Sequence, residues 1–140
     1  MIFIDSSAFY LIINKSERLH KIAKKTFNKI ILDNDILVTS DYIIDETLTL
    51  VSRKWGKYYA IEFWDSIKNS DILKVMKLSE RQFYKTIDLF RKYKDHNFSF
   101  TDYSCFIIMN DLKINKVFTF DKHFLSFGID CYPKNFKNNF

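Results

Sequence analysis

Apolar residues follow two rhythms along this chain. Short runs rich in isoleucine, valine and phenylalanine stand at 2–4 (Ile-Phe-Ile), 36–40 (ILVTS), 72–76 (ILKVM) and 116–120 (KVFTF), with a shorter candidate at 129–132 (IDCY). Runs of that length, bounded by polar residues, predict strands. Between them apolar positions recur every three or four residues. That spacing predicts helices over 6–14, 17–31, 41–54 and 57–69, from about Ser79 to Tyr93, and over 101–113. Leu19, Ile22, Ala23 and Phe27 carry the second of these. Gly56 marks the break between the third and fourth, and Ser79 suits an N-cap. Strands alternate with helices throughout, which predicts an α/β fold: a mainly parallel sheet of four or five strands, covered on both faces and joined by right-handed crossovers. In such sheets ligands bind beyond the carboxyl ends of the strands. Two of the predicted strands run straight into an aspartate there, Asp5 after the first and Asp121 after the fourth.

Composition narrows the picture. A chain of 140 residues suits one core, and with 2 glycines and 1 proline it offers no linker, so a single domain over 1–140 is expected. Apolar residues at 47% against charged residues at 28% describe a globular chain, not a disordered one. The N-terminal apolar run carries Asp5 and is followed by polar residues, so no signal peptide is expected. No window of 18 residues is apolar and uncharged, so no membrane association is expected and the cytoplasm is the expected location. Cys105 and Cys131 are too few for a disulfide framework, and no CxxC or HxxxH spacing suggests structural zinc. The net charge of +5 fits a polyanionic partner without demanding one.

Candidate chemistry comes from four carboxylates. On the 101–113 helix, Cys105, Ile108, Met109 and Leu112 form the apolar arc. Asp102 precedes Cys105 by three residues and Phe106 by four, so it lies toward the buried side, while Asp111 points to solvent. A carboxylate on a buried face needs a partner. The stretch SFTD (99–102) offers an ordinary one, since it matches a capping box. On the 41–54 helix, Glu46 borders the arc of Ile43, Ile44, Thr47, Leu48, Leu50 and Val51, and Asp45 lies outside it. Asp5 can equally serve as an N-cap and Asp121 as a turn opener. Each bland role is sound by itself, yet none explains why topology directs all four acids to one sheet edge. If they converge, two carboxylates about 5 Å apart repel by roughly 3 kcal/mol at an effective dielectric of 20. Four together require protons or cations. An oxygen-only donor set favours Mg²⁺ or Mn²⁺ over zinc. Such a centre suits attack of water on a phosphodiester, with a basic exterior to hold the remaining strand.

FIDSSAF, SDYIIDETLTL, FSFTDYSCFIIM and VFTFDKHF together resemble the four acidic motifs of PIN-domain ribonucleases, most closely the small single-domain VapC-type toxins. The resemblance covers nearly the whole chain, in order. It implies a three-layer α/β/α sandwich and a metal-dependent endoribonuclease using Mg²⁺ or Mn²⁺. It implies that Asp5, Glu46, Asp102 and Asp121 are both the catalytic residues and the metal ligands, with no further cofactor. Ser6 matches a small hydroxyl position that helps to order the site, and Thr101 and Thr119 are further hydroxyls of that kind. It also implies an RNA substrate, a homodimer and a small antitoxin covering the groove. Alternatively, some PIN proteins process RNA without an antitoxin, and a non-catalytic RNA-binding or regulatory protein could use the same fold.

Other readings fit less well. A haloacid-dehalogenase phosphatase needs a second acid where Ser7 stands, and a response-regulator receiver needs an acidic pair after its first strand. A Gly-rich nucleotide loop is excluded by having only Gly56 and Gly128. His123 is either a ligand or base near Asp121 or an ordinary turn residue. Lys21, Lys24, Lys25 and Lys29 form either a solvated helix face or an RNA-facing stripe. Phe9, Tyr10, Ile12, Ile13, Phe27, Ile30 and Ile31 are more than one core of this size is expected to absorb, so the early helices are expected to present a partner surface.

Overall fold

The computed structural model describes residues 1–94 and 97–134. Residues 95–96 and 135–140 of the expected 1–140 domain lie outside the described residues. The chain runs β1 (Ile2–Ile4), α1 (Ser6–Ile13), α2 (His20–Leu32), β2 (Leu37–Ser40), α3 (Asp41–Trp55), α4 (Lys57–Ile67), β3 (Leu73–Met76), α5 (Glu80–Lys92), α6 (Phe100–Asp111), β4 (Lys116–Phe118), α7 (His123–Ser126) and β5 (Asp130–Tyr132). All strand pairings are parallel, and the sheet order is β3-β2-β1-β4-β5. The expected α/β sheet flanked by helices is therefore the fold, with five strands.

The order has a direct consequence. From β1 the chain steps outward to β2 and β3, then returns to the other side of β1 for β4 and β5. The carboxyl ends of β1 and β4 thus flank the topological switch point, where open parallel sheets form a crevice. Pairing of Ile4 with Phe118 sets the register, and the Asp5 N–H continues it by donating to the Phe118 carbonyl at 3.1 Å. The residues just after β1 and β4 are thereby held side by side.

Every residue of β1 and β2 is buried. Successive side chains point to opposite faces, so both faces of the central sheet are covered. β3 buries Leu73 but exposes Lys74 and Val75, and a lysine there discourages pairing with another chain. Serines start the helices as their sequence suggests. Ser40 Oγ accepts from the Ile43 N–H, and Ser79 with Gln82 and Ser99 with Asp102 complete capping boxes. Gly56 has φ +100 between α3 and α4, a conformation that side chains disfavour.

Several elements depart from the sequence expectation. The second helix begins at His20 rather than 17, because Asn14 Oδ1 first accepts from the N–H and hydroxyl of Ser16 in a local turn. β4 ends at Phe118 rather than Phe120. Beyond it, the Phe120 N–H donates to Ser7 Oγ and the Asp121 N–H to Thr119 Oγ1, both at 2.9 Å, so side chains take over from the ladder. Most of the apolar residues of the early helices are covered, although Ile31 stays exposed and Phe9, Ile12, Ile13 and Phe27 line a small apolar groove. α1 packs against both α2 and α3, and Phe9 and Ile30 are buried while Tyr10, Ile12, Ile13 and Phe27 pack on the core. The larger exposed apolar set lies on α4 (Tyr58, Tyr59, Ile61 and Trp64), joined by Leu50 of α3. No helix among the described residues is long and apolar enough to cross a membrane.

Candidate active site

Asp5 is the N-cap of α1, extended at φ −97 and ψ 162, and it is 4% exposed. Its Oδ2 accepts from the Ser7 N–H (3.3 Å), the Ser7 hydroxyl (2.7 Å) and the Thr119 hydroxyl (3.0 Å). Burial pushes its pKa up to about 6. The hydroxyls of Ser7 and Thr119 oppose that rise, and the Glu46 charge adds to it. The capping role does not exclude a site role: the helix cap is also a buried acid with a raised pKa at the switch point.

Asp102 does the same on α6. Its Oδ2 accepts from the Ser99 N–H at 2.8 Å, closing the capping box, and its side chain is 13% exposed. Asp121 follows β4 and opens a turn, with Oδ1 accepting from the His123 N–H at 2.9 Å. Glu46 is exposed on α3. All four acids line one cleft of about 770 Å³, together with Ser6 and Thr101. Thr119 lies buried behind them, against Asp5. Beneath the cleft, burial pushes the Cys105 thiol well up, and the charges of Asp5, Asp102 and Glu46 push it further. Three of the acids therefore act on one buried atom. Asp111, read as solvent-facing, pairs with Lys85 at 3.1 Å.

The donor set suits a divalent cation. One carboxylate oxygen each of Asp102 and Asp121 and one ring nitrogen of His123 lie within 4.8 Å of one another. Asp5 and Glu46 line the same cleft but fall outside that group of three, and the Glu46 charge adds only a lesser part to the raised pKa of Asp5.

A family model for the PIN domain matches residues 2–129, a span that holds all four acids. The chain belongs to the PIN domain family. Curated relatives are the 23S rRNA-specific endonucleases VapC20 of Mycobacterium tuberculosis strains H37Rv and CDC 1551, each 24% identical over 128 residues, covering 91% of this chain and 95% of theirs. The crystal structure of M. tuberculosis VapC20, described as a Sarcin-Ricin loop cleaving toxin, superposes with a TM-score of 0.84 at 22% identity, over 92% of this chain and 96% of that one.

Within this PIN domain, Ser6 reaches Asp5 Oδ1 at 3.5 Å, whereas Ser7 makes the closer bonds. Ser7 sits two residues after an N-cap aspartate, a position whose N–H commonly answers the cap, and that was the available signal. Its hydroxyl donates to Asp5 and accepts from the Phe120 N–H, tying the two strand ends together. Ser7→Ala is expected to lower stability by about 1–2 kcal/mol, since it strands a part-buried N–H and removes a donor from a buried carboxylate. Urea denaturation measures this. Tyr10, Asp45, Arg53 and Asn97 also line the cleft. Arg53, which the sequence reading did not single out, lies seven residues after Glu46, two turns along one helix face, a spacing that could have found it. The lysine stripe on α2 is exposed. Lys25 and Lys29 line a separate cleft with Ile2, Lys116 and Tyr132, and none of the four acids lines it.

Proposed function

We propose that this PIN domain, expected to be one domain over 1–140, is a divalent-cation-dependent endoribonuclease and the toxin of a toxin–antitoxin pair. The observation that carries this reading is the cleft of four carboxylates at the switch point, lined by Asp5, Glu46, Asp102 and Asp121. The likeness to VapC20 supports an RNA substrate and the toxin role. Asp5, Glu46, Asp102 and Asp121 hold the cation, taken as Mg²⁺ or Mn²⁺ on account of their oxygen donors. When bound, such a cation supplies Lewis acidity toward a phosphodiester and its attacking water. The protein's part is placement. Ser7 and Thr119 fix Oδ2 of Asp5, Ser99 fixes Oδ2 of Asp102, and the turn N–H of His123 fixes Oδ1 of Asp121. Little reorganisation is then needed at the moment of reaction. Arg53 on the cleft wall offers a cation to a neighbouring phosphate.

The same reading includes action in the cytoplasm, a homodimer, and an antitoxin that covers the groove with a basic side chain directed at the carboxylates. The exposed Leu50, Ile61 and Trp64 adjoin the cleft through Thr49 and Arg53, which line both the cleft and the apolar groove of α3 and α4. An exposed apolar set beside an acidic cleft is a suitable seat for that segment. The test combines two assays. Purified protein is expected to cut single-stranded RNA with added Mn²⁺ or Mg²⁺ and to stop in excess chelator. Expression of the chain alone in bacteria is expected to arrest growth, and Asp5→Ala to relieve the arrest. Cleavage that persists in chelator refutes the metal reading. Cation-dependent cleavage with harmless expression refutes the toxin role and favours housekeeping RNA processing.

A further inference from the structure

His123 opens α7, two residues after Asp121. Its backbone N–H donates to Asp121 Oδ1, and its ring meets Phe98 edge-on, with centroids 4.8 Å apart and an interplanar angle of 83°. These two contacts hold the imidazole at the cleft without help from any ligand. Held this way, its Nδ1 is buried and has no hydrogen-bond partner among the described residues. That nitrogen lies 3.5 Å from Asp121 Oδ1 and 3.6 Å from Asp102 Oδ2.

A plain ion pair is a poor account of these distances. A hydrogen bond from nitrogen to a carboxylate settles near 2.7–2.9 Å when charge-assisted. A buried nitrogen left unpaired is costly and calls for an unseen partner. One cation would satisfy all three atoms together. Adjacent donors around a six-coordinate ion at 2.0–2.1 Å stand about 3 Å apart, so the observed 3.5 Å and 3.6 Å need only a slight contraction.

We propose that Nδ1 of His123 is a direct ligand of the cation held between Asp102 and Asp121, and that this nitrogen makes the site select Mn²⁺ over Mg²⁺. The inference rests on the cation-dependent reading given above and deepens it. Mg²⁺ is a hard ion served by oxygen, whereas imidazole suits first-row transition ions. The four acids alone would accept either ion. A ring nitrogen fixed by Phe98 and the Asp121 turn breaks that tie.

Calorimetric titration of metal-free protein with Mn²⁺ and with Mg²⁺, paired with pulsed electron paramagnetic resonance of the Mn²⁺ complex, tests the assignment without any activity assay. Wild-type protein should bind Mn²⁺ more tightly than Mg²⁺ by about tenfold or more, and the Mn²⁺ echo should carry ¹⁴N modulation. His123→Gln should lose that modulation and about tenfold in Mn²⁺ affinity, with Mg²⁺ affinity changed by less than about threefold. His123→Ala serves as a second variant, and melting curves confirm that both are folded. Mn²⁺ bound without nitrogen modulation, or modulation that survives in both His123 variants, overturns the ligand assignment alone. If Asp102→Asn and Asp121→Asn also leave Mn²⁺ binding unchanged, the acid-cleft reading falls with it.

Discussion

Asp102→Asn should lower RNA cleavage by roughly a thousandfold while moving stability by less than about 1 kcal/mol. A carboxylate that helps to hold the cation contributes several kcal/mol to transition-state stabilisation, and a loss of about 4 kcal/mol corresponds to three orders of magnitude in rate. The stability side follows from geometry. Oδ2 of Asp102 accepts from the Ser99 N–H, and an asparagine carbonyl can accept that bond in the same place. What is lost is a negative charge in the first turn of α6, a matter of a few tenths of a kcal/mol. Relief of repulsion with the other acids offsets it. Asp102→Ala is the contrasting variant, because it removes the cap as well and should cost about 1 kcal/mol. Single-turnover cleavage and thermal melting on the same preparations check both halves. An Asn variant that cleaves normally would reduce Asp102 to a capping residue.

The positions of these acids were legible to different degrees. Asp5 and Asp121 could be read from strands that end on an aspartate, because a parallel sheet offers its carboxyl edge to ligands. Asp102 could be read from helical phase against Cys105 and Met109, both of which are buried. Glu46 was the weakest, since a boundary glutamate is usually only solvated, and it is exposed here too. Ser7 escaped notice because its importance lies in a partner far along the chain, the Phe120 N–H. The setting of His123 depends on Phe98, which precedes α6, and on a helix of four residues, too short for any periodicity to announce it. The apolar faces of α1 and α2 are largely covered, with Ile31 left exposed, for a related reason. An amphipathic pattern shows which face is apolar, not how many neighbours will cover it, and α1 has both α2 and α3 against it. For Asp5, Asp102 and Asp121, the local structural role and the proposed site role are compatible, because a capping or turn bond uses one carboxylate oxygen and leaves capacity for a ligand.

Asp5→Asn should abolish cleavage and yet make the metal-free protein more stable at neutral pH. Asp5 is buried, and its pKa rises from 3.8 to about 6, chiefly through that burial. A raised carboxyl pKa means that the folded state prefers the protonated form. The associated stability is fully present below the unfolded value of 3.8 and is lost as pH rises through about 6. Above that range the ionised group costs about 3 kcal/mol, at 1.36 kcal/mol per pKa unit. Asparagine resembles the protonated acid. Its carbonyl can occupy the place of Oδ2, where the Ser7 N–H and the Ser7 and Thr119 hydroxyls all donate. In chelator, wild type and variant should therefore melt together near pH 3.5. The variant should gain steadily between pH 4 and 6, then hold an advantage on the order of 3 kcal/mol above pH 7. Added Mn²⁺ should narrow the gap by stabilising only the wild type, since a ligand that binds the folded state alone raises its stability by mass action. A variant less stable than wild type at pH 7 in chelator would show that the bonds of Ser7 and Thr119 to the charged acid outweigh the cost of burying it. Asp5 would then be a structural anchor first.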